Sequence, residues 1–292
     1  MTKLIHLLTT LAPLLPLTSA QYYRGFNLAA TNPSTGACKT EADWLWDFQK
    51  MLSLPGGFPY ARVYASSDCD TLVNAIPAAL SAGVKLLAGV WAEDNAHFEA
   101  EKAALLSAVQ KYGSSWMLAC SVGSEDLYRG DTDPNTLASQ IYDVRGMLSA
   151  NGAAGIEVGH VDTWTAWVDR SNDNVTVASD FIGVDGYPYF QDVSIESSAS
   201  TFWDSINAVR NVVNEVHSGA WVWVTETGEP VSGPTMGAAV ASVENAQTYW
   251  SEVACAAFEQ VHIFWYVLQD WTASPSFGVL NSDGNTIYNL TC

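Results

Sequence analysis

The chain has 292 residues, with 12 Lys and Arg against 31 Asp and Glu, for a formal net charge of −19. So acidic a balance excludes a nucleic-acid binder, whose phosphate contacts need Lys and Arg, and argues against adhesion to anionic membrane surfaces. The length exceeds what one open sheet needs and suits a single (β/α)8 barrel, at about 250 residues.

Residues 1–20 read as a secretory leader. Lys3 is followed by a leucine-rich stretch and then by Thr18-Ser19-Ala20, a small-residue cleavage site. The apolar run is short and broken by Pro13 and Pro16, so it is not a membrane span, and no other stretch is long and apolar enough to be one. The mature domain is expected over residues 21–292, without a second domain and as a monomer. Twelve Trp is a high count, and most are expected in the core.

Apolar runs then alternate with helical spacing. Tyr22 to Leu28 is a predicted strand, and Trp44 to Leu52 a helix. Tyr60 to Tyr64 is the second strand, and a helix opens at Asp70 and stops at Gly83. Val84 to Trp91 is the third strand, with a helix over Phe98 to Tyr112. The fourth begins at Met117 and ends at Glu125, and Asp133-Pro134 starts a helix to Leu148, with proline at the favoured first position. Ile156 to Val161 and Phe181 to Val184 are strands five and six. Ile206, Val209, Val213 and Val216 mark a helix by their spacing. Strand seven is Trp221-Val222-Trp223-Val224-Thr225-Glu226, ended by Gly228 and Pro230. A long helix over Ala238 to Phe258 precedes strand eight, Val261 to Leu268. Eight strands alternating with helices imply a parallel sheet, closed as a (β/α)8 barrel.

In such a barrel the residues at the C-terminal strand ends meet at one mouth. Those residues are Asn27, Arg62, Tyr64, Trp91, Glu125, Asp162, Asp185, Tyr187, Glu226 and Trp271. Two buried runs, on strands four and seven, each end in a glutamate. Those strands are not neighbours, so Glu125 and Glu226 face each other across the barrel. Two facing carboxyls are the minimum for retaining glycoside chemistry, in which they sit roughly 5–5.5 Å apart. Tyr64 and Tyr187 are candidate hydrogen-bond donors to a sugar or to the nucleophile. Arg62 is a candidate ion-pair partner orienting a carboxylate, Asp185 a candidate sugar contact, and Trp91 and Trp271 candidate stacking platforms. The five His lack ligand spacing with Cys, Asp or Glu, and there is no Gly-rich phosphate loop. No metal and no cofactor are expected.

Five cysteines are an odd number for a secreted chain. Cys120 lies mid-strand and is expected as a buried thiol. Cys38 and Cys69 follow strands one and two on the same face, and Cys255 in the last helix can clamp the terminal Cys292, so the expected bridges are Cys38–Cys69 and Cys255–Cys292. Asn174-Val175-Thr176 and Asn289-Leu290-Thr291 are glycosylation sequons.

Ordered motifs along nearly the whole mature chain carry a family resemblance. They are Asn27-Leu28 with Gly36-Ala37-Cys38-Lys39-Thr40, Arg62-Val63-Tyr64-Ala65-Ser66-Ser67-Asp68-Cys69, and Gly89-Val90-Trp91 followed by Ala100-Glu101-Lys102-Ala103-Ala104-Leu105. Val122-Gly123-Ser124-Glu125 with Leu127-Tyr128-Arg129, Tyr187-Pro188-Tyr189-Phe190, and Thr225-Glu226-Thr227-Gly228 complete them. The chain resembles glycoside hydrolase family 17, and within it the fungal cell-wall β-1,3-glucan endoglucosidases and glucanosyltransferases. The resemblance implies Glu125 as acid/base, Glu226 as nucleophile, β-glucan as substrate and a secreted or cell-wall location. Two departures stand out. The family's Thr-Gly-Trp-Pro is Thr227-Gly228-Glu229-Pro230 here, and its acidic and Lys positions near strand eight are Gln269, Asp270, Trp271 and Thr272. The alternative these departures motivate is a wall-associated glucan-binding protein with weak or altered-linkage activity.

Overall fold

Eight short strands close into one parallel barrel in sequence order. They are β1 (Arg24–Leu28), β2 (Tyr60–Val63), β3 (Lys85–Val90), β4 (Met117–Val122), β5 (Val158–Thr163), β6 (Phe181–Asp185), β7 (Trp221–Thr227) and β8 (Ile263–Trp265), with β8 pairing back onto β1. The structure is a computed structural model describing residues 22–216 and 219–292, so the leader expected over residues 1–20 lies outside the described residues. Around the barrel lie α1 (Glu41–Ser53), α2 (Thr71–Ala82), α3 (Asn95–Tyr112), α4 (Asp126–Arg129), α5 (Pro134–Ala150), α6 (Trp164–Val168), α7 (Asp173–Ala178), α8 (Ile195–Val216), α9 (Val243–Tyr249) and α10 (Cys255–Ala257). Among the described residues no helix is long and apolar enough to cross a membrane.

Local signals explain most boundaries. Thr40 and Asp43 form a reciprocal capping box on α1, Asp94 caps α3 through the N–H groups of Ala96 and His97, and Asp133 caps α5 ahead of Pro134. Four expectations change. β5 lies two residues later than its apolar run suggests, so Asp162 is inside the strand. β8 stops at Trp265, well short of Leu268. The long helix before it is interrupted by a π turn at Trp250–Ala254, where Trp250 is fully buried against Phe58, Phe258 and Trp265. Glu125 is not on β4 but three residues beyond it.

The barrel interior is built in levels. Leu87, Ala119, Phe181, Trp223 and Phe264 come from five strands and pack as one cluster with Tyr23 and Tyr60, sealing the floor. Side chains on a strand return to the same face every second residue. The next inward positions are therefore Asn27 and Arg62 two steps above Gly25 and Tyr60, Ser121 above Ala119, and Thr225 above Trp223, which makes a polar layer over an apolar plug. Six Trp (Trp44, Trp116, Trp167, Trp223, Trp250, Trp265) are fully buried, as expected for core filling. Both expected bridges, Cys38–Cys69 and Cys255–Cys292, are present, and Cys120 is a free, buried thiol.

Candidate active site

Glu226 is the penultimate residue of β7, level with Asp185 at the end of β6, where the register of the two strands shifts. It is 8% exposed, and both of its oxygens are held. Oε1 accepts from Arg62 Nη1 at 2.5 Å and from the Tyr64 hydroxyl at 2.8 Å; Oε2 accepts from the Tyr187 hydroxyl at 2.7 Å. Arg62 is itself fixed, donating from Nη1 to Asn27 Oδ1 at 3.1 Å and from Nη2 to Ser124 Oγ at 2.9 Å. Asn27 in turn donates to the carbonyls of Thr225 and Phe264. Burial pushes the guanidinium pKa down, but Glu226 and Asp185 more than offset this and leave it above its ordinary value, so Arg62 is a permanent cation. Burial, reinforced by the Glu226 charge, holds the Tyr64 and Tyr187 phenols well above their usual range, so both remain donors.

Asp185 lies underneath. Its Oδ1 accepts from Thr225 Oγ1 at 2.8 Å and stands 4.0 Å from Arg62 Nη1. Burial first, and then the Glu226 charge, hold its carboxyl well above the usual carboxylate range. Expected as a sugar contact, Asp185 is 2% exposed, and Arg62 has no exposed surface. Arg62 contacts Glu226 directly, and Asp185 lies beside the same guanidinium.

Glu125 reaches the opposite side of the mouth by a different device. Gly123 adopts φ +74°, and a Cβ there would lie 2.2 Å from Asp126 Oδ2. Only glycine fits, and it ends β4. Glu125 then takes a left-handed φ of +60°, its N–H donating to Val161 O at 2.8 Å, and α4 follows. A non-glycine residue held in this region is a strained position of the kind found at functional sites. The Glu125 side chain is 28% exposed. Burial, followed by the charges of Glu226 and Asp162, pushes its pKa up to about 7. Arg129 stands 3.4 Å from Glu125 Oε2, bonds Asp131 at 2.7 Å, and lies over the Trp91 ring at 5.3 Å. Trp91 is thus on the Glu125 side of the mouth. Asp162 is fully buried and accepts from Leu127 N, Thr163 N and His160 Nε2, which makes it a support for the Glu125 turn.

Trp271 is placed elsewhere. It lines a groove with Trp46 and Gln269 whose lining includes neither Glu125 nor Glu226. The strand-eight departures have structural roles: Gln269 donates to Asp47 Oδ1, and Asp270 accepts from Ser276 Oγ, Phe277 N and Gly278 N, organising the short loop. Glu229 is 3% exposed, and burial pushes its pKa up to about 7. Sequence reading missed Tyr266, whose ring packs edge-on to Tyr187 and whose phenol is raised by burial and then by the Glu226 charge. It missed Arg129 and Ser124 as side-chain partners as well. The histidine spacing hid one cluster: His97 Nε2 meets Asp68 Oδ1 at 3.0 Å and Glu101 Oε1 at 3.6 Å. The Glu101 oxygens already accept from the N–H groups of Ser66, Ser67, Asp68 and Trp91, so this is a hydrogen-bonded knot tying the β2 and β3 loops to α3.

The BtgE/BtgC glycoside hydrolase domain matches residues 25–282. The "probable glucan endo-1,3-beta-glucosidase eglC" of Aspergillus oryzae is 41% identical over 99% of this chain, which spans 67% of that relative's length. The "glucan 1,3-beta-glucosidase" of Schizosaccharomyces pombe is 36% identical over 88% of this chain and 83% of its own. Among solved structures, an active-site mutant of the Rhizomucor miehei β-1,3-glucanosyltransferase, in complex with laminaritriose, superposes with a TM-score of 0.81 at 27% identity, over 94% of this chain and 99% of its own. Fold and relatives define a glycoside hydrolase of the (β/α)8 class. With the domain match extending over almost the entire barrel, the chain belongs to the BtgE/BtgC glycoside hydrolase family.

Proposed function

We propose that this chain is a retaining β-1,3-glucan endo-hydrolase or glucanosyltransferase of glycoside hydrolase family 17, exported by its leader and acting in or near the cell wall. Glu226 attacks the anomeric carbon and the glycosidic C–O bond breaks. The proton of Glu125 passes to the departing oxygen, leaving a covalent glycosyl-enzyme. Glu125, now a carboxylate, takes a proton from the incoming hydroxyl, whose oxygen displaces Glu226 from the anomeric carbon. Water as the acceptor gives hydrolysis, and a glucan hydroxyl gives transfer.

One observation carries this reading: the asymmetry of the two carboxyls. Glu226 is held by one permanent cation and two phenols, which fix an attacking carboxyl in place. Glu125 has its pKa pushed up to about 7, as a proton donor at mildly acidic pH should have. The two disulfides and the fungal relatives support an extracellular location, and both sequon asparagines, Asn174 and Asn289, are exposed.

The test is a product profile on a defined β-1,3-gluco-oligosaccharide, wild type against Glu226→Gln. Shorter products alone mean hydrolysis, and products longer than the substrate mean transfer. Glu226→Gln is expected to lose turnover by about 10³-fold or more while still binding the oligosaccharide. Equal turnover in the variant would remove Glu226 from its role. A wild type that binds the glucan without turning over any β-glucan would leave the binding-protein alternative.

A further inference from the structure

The groove that takes Trp271 away from the mouth has features of its own. It encloses about 200 Å³ between Asn32, Ser34 and Lys39 of the segment after β1, Asp43, Trp46 and Asp47 of α1, Gln269 and Trp271 after β8, and Ser282. Segments that follow barrel strands lie at the C-terminal face, so the groove opens on the same face as Glu125 and Glu226. It lies beside β8 and β1, which follow β7 around the barrel, and so on the nucleophile's side, across from the strand that leads to Glu125.

Its walls are held in place. The Trp46 indole is 45% exposed yet stands directly over Gly284, where a Cβ would come within 2.9 Å of the ring. Lys39 Nζ donates to Asp47 Oδ2 at 2.6 Å, and Asp47 Oδ1 accepts from Gln269 Nε2 at 2.8 Å. This buried chain consumes the one cation of the lining, and the half-buried Asp43, bonded to Thr40, stands at the edge. A phosphate or carboxylate ligand would find no unpaired positive charge and would face Asp43. A neutral, hydroxyl-rich ligand finds the indoles of Trp46 and Trp271 and the hydroxyls of Ser34 and Ser282, which have no hydrogen-bond partner among the described residues. An exposed aromatic fixed beside uncharged polar groups is the arrangement that receives an amphipathic ring.

We propose that this groove, through Trp46 and Trp271, is a remote subsite that grips the donor portion of a β-glucan chain several sugar units from the bond being cleaved. The proposal rests on the functional reading above. The portion that departs with the proton from Glu125 leaves on the far side of the mouth. The portion that becomes attached to Glu226 therefore extends over β8 and β1 toward the groove. Such a site adds affinity only for chains long enough to reach it, and sets the enzyme's preference for polymer over short oligosaccharide.

The experiment compares kcat and KM of wild type, Trp46→Ala and Trp46→Phe over β-1,3-gluco-oligosaccharides from trisaccharide to decasaccharide. Trp46→Ala is expected to raise KM about tenfold on the long chains. On the trisaccharide it should match wild type, kcat should hold at every length, and Trp46→Phe should restore most of the loss. A Trp46→Ala loss that is the same at every length, or absent at every length, overturns the remote subsite and leaves the catalytic assignment standing. A wild type inactive on every length of every β-glucan overturns the functional reading itself, and the subsite with it.

Discussion

Arg62 enters the barrel interior from β2 and gives its guanidinium to Glu226, Asn27 and Ser124, so one residue ties together segments far apart in the chain. Set against it are Glu226, Asp185 and Glu125, and one cation cannot neutralise three carboxyls. Each finds a different solution. Glu226 keeps the cation and two phenolic donors, and the Asp185 carboxyl is held well above its usual range by burial and then by the Glu226 charge. Glu125, partly open to solvent, is poised with its pKa raised to about 7. The kcat/KM profile should then fall on the alkaline side with a midpoint near the Glu125 value of about 7, as the acid loses its proton. On an aryl β-glucoside whose leaving group needs no protonation, that limb should flatten, and Glu125→Gln should remove it on either substrate. A limb that survives in Glu125→Gln would transfer the acid role to another group.

At the scale of the element, the turn from β4 into α4 delivers Glu125. The left-handed Gly123 ends the strand, Ser124 N donates to Asp126 Oδ2, and Glu125 takes its own left-handed conformation. Gly123→Ala introduces a Cβ against the Asp126 carboxylate at an unfavourable φ. It is expected to cost about 1–3 kcal/mol in thermal unfolding and to lower kcat more than KM, because Glu125 moves while the sugar-contacting face does not. A fully stable, fully active variant would show that the turn tolerates both clash and strain. This turn also marks where the sequence ceases to be legible. Apolar runs that stop at a glutamate disclose the barrel and both carboxylates, because burial pattern is written locally. The left-handed step is not, since a Ser-Glu pair continues a strand as readily as it leaves one. Tyr266 was hidden for the converse reason: in a run of aromatic and β-branched residues it reads as more strand, whereas β8 stops one residue before it. The partners of Arg62, the fate of Asp185 and the meeting of His97 with Asp68 and Glu101 depend on closing the barrel, which brings together residues that no periodicity relates. Trp271 reads as a mouth residue from its place after strand eight, and only the packed loops put it beside Trp46.

For the whole molecule, the protonation equilibria of the buried carboxyls and of His160 add in one direction, opposed by His262, which burial pulls from 6.5 down to about 4 so that its support is lost as pH falls through that window. Glu125 and Glu229 are both raised from 4.5 to about 7, mainly by burial, and Asp185 is raised too, first by burial. His160 is raised as well. Burial pulls it down, but Asp162 more than offsets this, and with Val122 O at 2.6 Å and Asp162 Oδ2 at 2.9 Å both ring nitrogens face acceptors. Each of these groups binds its proton more tightly folded than unfolded. The stability they contribute is fully present below the unfolded value and is lost as pH rises through the folded one. For the two glutamates that window runs from 4.5 to about 7, and for His160 it begins at 6.5. A formal charge of −19 at pH 7 adds self-repulsion of the same sign as more carboxyls ionise. At the acid end, the cap residues Asp94 and Asp133, lowered from 3.8, withdraw their support only as pH falls below that value. The melting temperature at fixed ionic strength should therefore be higher at about pH 5 than at about pH 8. Glu229→Gln should narrow the difference without moving the alkaline limb of activity, and Glu125→Gln should abolish that limb while Glu229 still contributes its share of the pH dependence. An equal or higher melting temperature at the alkaline pH would mean that these groups are solvated or paired in the folded protein, and the poised acid at Glu125 would lose its physical basis along with them.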